Sequence, residues 1–346
     1  VMKILVLYTR LTGYWMACMR FDHQETGNEY LVIRKAPSKD APFKIKSEPG
    51  IRIINGDGVT VDELKKISNE FQPNILYLSG WTDSRYLKLA LQYKKLGLPT
   101  INGMDNQWIG TLRQRVGLLL SKQRVLKYFT HIWVPGKPQY YFARKLGFLP
   151  QNILTGMYCA DETIFNKVEQ KKHRYQLLFV GRLVEHKGLK VLFKVLHQLI
   201  KANELEIDIH IIGSGPLEKL IPVHKKIKHT FFLDPSKIPA LLENGGTFLL
   251  PSLYEAWGVV VHEAVLAGMP ILSTHQTGAT SELVIHGFNG YVYNAFNEKE
   301  LKKYIKLISE QTTQEYFKMS KNSKMIASKI NLQEWSAMLN SLVRLT

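Results

Sequence analysis

The sequence predicts an α/β protein of two parallel-sheet domains facing across a cleft, and three observations carry that reading. Short apolar runs alternate with longer amphipathic ones almost from end to end, the pattern of a parallel sheet covered by helices on both faces. The alternation breaks once, at a polar stretch over 161–174, and then restarts. The chain has 346 residues, and at roughly 100–200 residues per domain that is enough for two sizeable cores.

Taken in order, Lys3–Tyr8 (KILVLY) reads as a buried strand, because its apolar run is not interrupted by polar alternation. Tyr30–Ile33, Ile51–Ile54, Ile75–Leu78, Thr100–Asn102 and His131–Val134 continue the series, with helical periodicity over Val61–Phe71 and Ser84–Lys95. These make an N-terminal domain over 1–160. The stretch 161–174, with Lys167, Glu169, Lys171, Lys172 and His173, reads as a linker. A second domain over 175–330 repeats the scheme. Its strands are expected at Leu177–Val180, Ile207–Ile212, Thr230–Leu233, Phe248–Leu250, Ile271–Ser273 and Tyr291–Tyr293. Its helices are expected at Leu189–Ile200, Leu217–Ile227 and Gly258–Ala267. From Glu298 onward the tail reads as helical throughout, with 331–346 a C-terminal helix able to pack back on the N-terminal domain. Ligands of such sheets bind outside the carboxyl ends of the strands, so the chemistry is expected between the domains.

Composition narrows the classes. Hydrophobic residues make up 45% and charged residues 22%, ordinary values for a globular protein. The net charge of +17 is not ordinary and points to an acidic partner: nucleic acid, an anionic membrane or a phosphorylated substrate. Between Asp105 and Asp161 there is no acidic residue, while Arg113, Arg115, Lys122, Arg124, Lys127, Lys137, Arg144 and Lys145 all fall there. The two cysteines, Cys18 and Cys159, form no disulfide framework and have no metal spacing, so a reducing cytoplasm is the simplest setting. Val1 ahead of Met2 reads as an added residue, and no signal peptide is expected. No apolar run approaches the roughly 18 residues of a membrane span, which leaves a soluble or peripheral protein.

Two motifs carry the chemistry. In Phe179-Val-Gly181-Arg182-Leu-Val-Glu-His-Lys187-Gly188, an apolar strand runs into Gly181, and two cations follow just before a helix. Arginine forks onto two oxygens and lysine supplies a compact charge, a combination suited to a diphosphate. The competing reading is that both are solvated surface residues. In Pro251-Ser-Leu-Tyr-Glu255-Ala-Trp257-Gly258-Val259-Val-Val-His-Glu263-Ala-Val-Leu-Ala-Gly268-Met-Pro270, a strand ends at Pro251 and Gly258 opens an apolar helix. A glycine there lets a ligand approach free backbone N–H groups, and the helix dipole favours an anion. Glu263 sits among apolar neighbours and needs a partner, because burying a carboxylate unpaired is costly. Sugar hydroxyls are suitable donors to it. Taken singly, Glu263 is equally well an internal ion pair and Glu255 a helix-entry acid. Together, at this spacing behind this strand, they read as a site.

With these residues in view, Tyr175–Tyr293 resembles the donor-binding domain of glycosyltransferase family 4. The resemblance is carried by FVGRLVEHKG, HIIGSGP, PSLYEAWGVVVHEAVLAGMPILST and GFNGYVY, and EAWGVVVHE matches that family's E-x7-E motif. The N-terminal half matches loosely, through LGFLPQNILTGMYCADETIF, where Tyr158-Cys159-Ala160-Asp161 replaces the usual Asn-Gly-Val-Asp. The resemblance implies a GT-B fold of two Rossmann-like domains and a retaining transfer from a UDP- or GDP-linked sugar. It implies that Arg182 and Lys187 hold the diphosphate, that Glu263 bonds the ribose hydroxyls and that Glu255 meets the transferred sugar. It also implies that backbone amides around Trp257, Gly258 and Val259 line the sugar–phosphate region, that Gly181, Gly213 and Ser214 border the donor, and that Leu233-Asp234-Pro235 borders the base. No two aspartates stand in D-x-D spacing, so no metal or other cofactor is expected, the cations and the helix start doing that electrostatic work.

The acceptor side is less specific. Gly13, Trp81 and Asn102 each fall at a strand-end loop, and a plain turn or cap explains each of them as well. Many relatives have a histidine near the reacting sugar; this chain has none at the matching place, and Asp105 in that region is a catalytic candidate, able to orient an acceptor hydroxyl or to act as a base, with helix N-capping an equal alternative. Thr111–Phe129 reads as a basic amphipathic helix. Leu112, Val116, Leu119, Leu120 and Leu126 fall near one face, while Arg113, Arg115, Lys122, Arg124 and Lys127 occupy the rest. Such a helix suits an anionic membrane and a glycan or lipid-linked acceptor, or packs on a core with a solvated basic side. The expected activity is sugar transfer in cell-surface polysaccharide or glycolipid synthesis. A nucleotide-sugar epimerase or a sugar phosphorylase is the alternative enzyme, and a polyanion-binding protein is the alternative class, although no nucleic-acid motif supports it.

Overall fold

The chain's computed structural model describes residues 1–36, 45–231 and 233–342, with side chains described except at 120–123. Two units divide it: Val1–Asp161 with Ile330–Thr346, and Glu162–Lys329.

The first unit runs β1 (Lys3–Tyr8), α1 (Gly13–Thr26), β2 (Glu29–Arg34), β3 (Ile51–Asn55), α2 (Val61–Phe71), β4 (Ile75–Leu78), α3 (Ser84–Lys95), β5 (Thr100–Gly103), α4 (Leu112–Tyr128), β6 (His131–Trp133), α5 (Lys137–Leu146) and β7 (Ile153–Leu154). Its strands form one sheet in the order β3-β2-β1-β4-β5-β6-β7, all parallel. In the centre Leu5 lies opposite Leu31 and Leu76. Such strands are covered on both faces, which is why they read as continuous apolar runs. Thr60 and Glu63 start α2 with a capping box, each side chain taking the other's backbone N–H. Gly27 ends α1 in the left-handed conformation that glycine adopts without a Cβ clash.

The second unit runs α6 (Glu162–Phe165), β8 (Gln176–Val180), α7 (Leu189–Lys201), β9 (Asp208–Ile212), β10 (Ile227–Thr230), α8 (Ile238–Glu243), β11 (Thr247–Leu250), α9 (Val259–Leu266), β12 (Ile271–Thr274), α10 (Thr280–Leu283), β13 (Gly290–Tyr293), α11 (Glu298–Ser309) and α12 (Thr313–Ala327). Its six parallel strands are ordered β10-β9-β8-β11-β12-β13. The last helix, α13 (Leu332–Asn340), belongs to the first unit and packs on α1. Asp22, fully buried on α1, is the anchor. Its carboxylate accepts from Tyr30 Oη and Ser336 Oγ at 2.5 Å, Asn340 Nδ2 at 2.7 Å and Asn28 Nδ2 at 2.8 Å. A buried carboxylate persists only when donors surround it in this way.

Several sequence expectations are corrected here. The helix expected over Leu217–Ile227 is a single 3₁₀ turn, Glu218–Leu220. Pro222 has no N–H to give and drives Ile221 into an extended conformation, φ −62° and ψ 125°, which ends the helix. The strand expected at Thr230–Leu233 lies earlier, at Ile227–Thr230; it lasts only while β9 offers a partner, Thr230 pairing with Ile212, the last residue of β9. Phe232 lies outside the described residues. Among the described residues the tail is three helices with two breaks, not helical throughout. The stretch read as a linker, 161–174, falls in the second unit beyond Asp161, carries α6, and is tied down by Gln170 Nε2, which donates to the carbonyls of Leu242 (2.9 Å) and Ala267 (2.8 Å). The apolar residues of α4 do not share one face. Val125 is buried and Leu118 and Leu126 pack on the core, whereas Leu112, Val116 and Leu119 are exposed. The side chains of Leu120 and Lys122 lie outside the described residues.

Candidate functional site

In the second unit, strand order reverses between β8 and β11: β9 and β10 add on one side, β12 and β13 on the other. The crevice outside the carboxyl ends of two such strands is where open α/β sheets bind ligands. The loop after β8 carries Gly181, Arg182 and Lys187, and the loop after β11 carries Glu255 and Gly258. The two loops touch backbone to backbone. Gly188 has φ +71°, and a Cβ there would lie 1.8 Å from the Pro251 carbonyl oxygen, so only glycine permits the approach. His186 O accepts from Leu253 N at 2.9 Å across the same seam.

That approach brings Lys187 Nζ onto Glu255 Oε2 in a mostly buried ion pair. Ser252 Oγ also donates to this carboxylate, at 3.4 Å. Arg182 is exposed, and no carboxylate pairs with it among the described residues. His186 shows that these groups share one field. Partial burial holds its imidazole below the ordinary value, Lys187 lowers it further, Glu255 opposes, and Arg182 lowers it again.

Gly258 enters α9 with φ +93°, and no side chain caps the helix. Among the described residues no acceptor meets the N–H groups of Gly258, Val259 and Val260. The approach to this helix start is laced to the loop after β12: Glu255 N donates to Gln276 O (3.1 Å), Gly278 N to Glu255 O (3.1 Å), and Ala279 N to Trp257 O (2.9 Å). Trp257 itself is buried in the core, so its contribution to a ligand would be through its backbone. Glu263 stands just over one turn into α9. It is half-buried, no hydrogen bond or ion pair reaches its carboxylate among the described residues, and burial pushes its carboxyl up to about 7. A carboxyl in that state gains from any hydroxyl that can donate to it.

The turn after β9 folds onto the same loops. Leu183 N donates to Ser214 O at 2.9 Å, and a Cβ on Gly213, φ +131°, would fall 1.9 Å from Gly181 O. Ser214 is exposed. The structure therefore gathers Gly181, Arg182, Lys187, Gly213, Ser214, Glu255 and Gly258 at one end of one sheet. Asp234 has a local role: it accepts from Ser236 N at 2.9 Å and holds a 3₁₀ turn.

In the first unit the pieces are scattered. Gly13 is the exposed first residue of α1, and a Cβ there meets open space, so nothing steric demands glycine. Trp81 packs against the core, and Asp83 caps α3 by accepting from Arg85 N at 3.0 Å, the plain turn-and-cap arrangement. Asn102 is fully buried in β5, with neither amide atom partnered among the described residues. The N-cap of α4 is Thr111, accepting from Gln114 N, and not Asp105. Asp105 accepts from Tyr158 Oη at 3.2 Å, and its carbonyl takes Gln139 Nε2 at 3.0 Å. Sequence reasoning missed the tyrosines around it. Tyr14 packs edge-on to Tyr158 with ring centroids 5.3 Å apart. Burial pushes Tyr14 up to about 12 and Tyr158 well above its ordinary value, and the charge of Asp105 acts the same way on both. The one available signal was Tyr158 itself, an aromatic where asparagine was expected. Among the described residues no three His, Cys, Asp or Glu side chains gather to hold a metal, and no described helix is long and apolar enough to cross a membrane.

Comparison with known proteins places this geometry. The family described as glycosyl transferases group 1 matches residues 160–325. An uncharacterized glycosyltransferase of Methanocaldococcus jannaschii is 28% identical over 125 residues, 34% of this chain and 31% of that one. The alpha-D-kanosaminyltransferase of Streptomyces kanamyceticus is 28% identical over 132 residues, 36% of this chain and 34% of that one. The match thus spans about a third of the length of these two relatives. Among solved structures, Anabaena HepE in complex with UDP superposes with a TM-score of 0.77 at 16% identity, over 100% of both chains. WaaG, a glycosyltransferase involved in lipopolysaccharide biosynthesis, gives 0.67 at 15% identity over 99% of both. At such identities the likeness shows the fold, two Rossmann-like parallel-sheet units of the GT-B kind.

Proposed function

We propose that this chain, whose residues 160–325 match the glycosyl transferases group 1 family, moves a hexose from a UDP- or GDP-linked donor to a hydroxyl of a glycan or lipid-linked acceptor. The family 4 motif E-x7-E adds retention of the anomeric configuration to the reading. The observation that carries it is the set of loops at the carboxyl ends of β8 and β11, where Arg182, unpaired among the described residues, the Lys187–Glu255 pair and the open start of α9 converge.

In this reading Lys187 and Glu255 hold one another until the donor arrives. The diphosphate then takes the ammonium, and Glu255 turns to the hydroxyls of the sugar. As the bond from the anomeric carbon to the diphosphate oxygen breaks, negative charge grows on the departing nucleotide. Arg182, Lys187 and the N–H groups opening α9 are fixed donors for that charge. They do what a divalent cation does elsewhere, so transfer is proposed to be metal-independent. Glu263 takes the ribose hydroxyls, which give its carboxylate the partners it lacks among the described residues. Asp105, held by Tyr158, is the proposed anchor for an acceptor hydroxyl. HepE has been solved with UDP and with UDP-glucose, which favours testing UDP-sugars first. The setting proposed is the cytoplasmic face of a membrane, in cell-surface polysaccharide or glycolipid synthesis.

A panel of UDP- and GDP-sugars, screened for thermal stabilisation with EDTA present, tests the donor reading, because a ligand bound only by the folded state raises the melting temperature. One nucleotide class should stabilise and the other should not. Product analysis by NMR should then show the donor's anomeric configuration kept. No stabilisation by any nucleotide sugar, or release of sugar phosphate only when inorganic phosphate is supplied, contradicts the proposal.

A further inference from the structure

We infer that the outward side of α4, with the loop before it, is a docking face for an anionic lipid surface, an apolar ridge entering the bilayer interface between two flanks of cations. This takes up the membrane-side part of the reading above and needs none of the donor chemistry. Large aliphatic side chains stand out of the protein here: Leu112 is 78% exposed, Leu119 80%, Ile109 58% and Val116 51%. Residues 112, 116 and 119 are spaced i, i+4, i+7, so they form one ridge along the helix. They are not surplus from the core face, because Val125, Leu118 and Leu126 already supply the contacts with the core.

Helical periodicity sets Arg115 on one flank of the ridge and Arg113, Arg124 and Lys127 on the other. All four are exposed, and no carboxylate pairs with them among the described residues. No acid occurs anywhere from residue 106 to residue 160, so nothing in that stretch of chain repels an anionic surface. Cations alone would suit any polyanion, and exposed leucines alone would suit any apolar groove. A leucine ridge between arginine flanks fits the boundary between headgroups and acyl chains, where an amphipathic helix lies in the plane with its apolar side sunk.

The test is cosedimentation of the full chain with vesicles of phosphatidylcholine containing phosphatidylglycerol, against pure phosphatidylcholine vesicles. Binding should favour the anionic vesicles and fall as salt is raised from about 50 mM to about 500 mM. Leu112→Ser with Leu119→Ser should weaken it roughly tenfold or more while leaving the melting temperature in place, since both side chains are solvated. Arg113→Gln with Arg115→Gln should remove much of the preference for anionic lipid. Glu263→Gln, which disables the proposed donor site, should leave vesicle binding intact, so a failure of the donor reading is told apart from a failure of this one. Equal binding to both vesicle types, or full binding by the double serine variant, overturns the inference. So does a dimer in gel filtration that the serine changes dissociate, because the ridge would then be covered by a second copy.

Discussion

Glu263→Gln separates the energetic and the functional role of one side chain. Folded, this carboxyl keeps its proton up to about pH 7; unfolded, it releases it near the ordinary value of 4.5. Between those values the folded state binds a proton that the unfolded state does not. Stability therefore falls as pH rises through the window from 4.5 to about 7, and the loss is complete above it. At about 1.4 kcal/mol per pH unit the ionised carboxylate costs at most about 3.5 kcal/mol, and about 2 is the more reasonable figure for a side chain that water partly reaches. Glutamine is never charged, so the variant should melt several degrees higher than the parent at pH 8, at about 2–4 °C per kcal/mol for a chain of this order, and at nearly the same temperature near pH 4.5. The same change should weaken the nucleotide sugar by about 1–3 kcal/mol, the worth of hydrogen bonds to a charged group. Differential scanning fluorimetry from pH 4.5 to 8.5, with and without donor, reads both effects. Parallel melting curves for parent and variant across that range would refute the argument that this carboxylate is buried without a partner.

Three further outcomes follow from the geometry. Lys187→Met should lower turnover about a hundredfold, the usual scale for losing one fixed donor to a developing anion, in steady-state assays at saturating acceptor. Gly188→Ala should destabilise the chain by about 2 kcal/mol or more in urea unfolding, because a left-handed φ of +71° and a Cβ 1.8 Å from the Pro251 carbonyl both oppose a side chain. Tyr158→Phe frees Asp105 from its 3.2 Å hydrogen bond and should raise the acceptor KM while leaving donor affinity unchanged in calorimetry.

Much of the fold could be read in advance, for a physical reason. Strands covered on both faces must be apolar throughout, and helices against them must be amphipathic, so KILVLY and the run over Val61–Phe71 declare themselves. The loops after β8, β9 and β11 stand out in the sequence because glycine sits where backbone must approach backbone, as at Gly188 and Gly213. What local pattern could not show is set by distant neighbours. The extent of β10 depends on β9 some twenty residues earlier, and Pro222 outweighs the helical periodicity around it. Whether an apolar residue on α4 faces in or out depends on what packs beside the helix, so Leu112 and Leu126 looked alike. The setting of Asp105 was hidden for the same reason, since Tyr158 reaches it from far along the chain and Tyr14 packs on Tyr158.

Calorimetric titration of UDP and of GDP into the protein in the presence of EDTA examines the electrostatic core of the proposal most directly. The expected result is binding of one nucleotide without any divalent ion, weakened about a hundredfold or more when Arg182→Gln and Lys187→Gln are combined. Affinity that appears only on adding magnesium or manganese, or that survives the double change, would mean that the pyrophosphate is neutralised somewhere other than at these two cations and the start of α9.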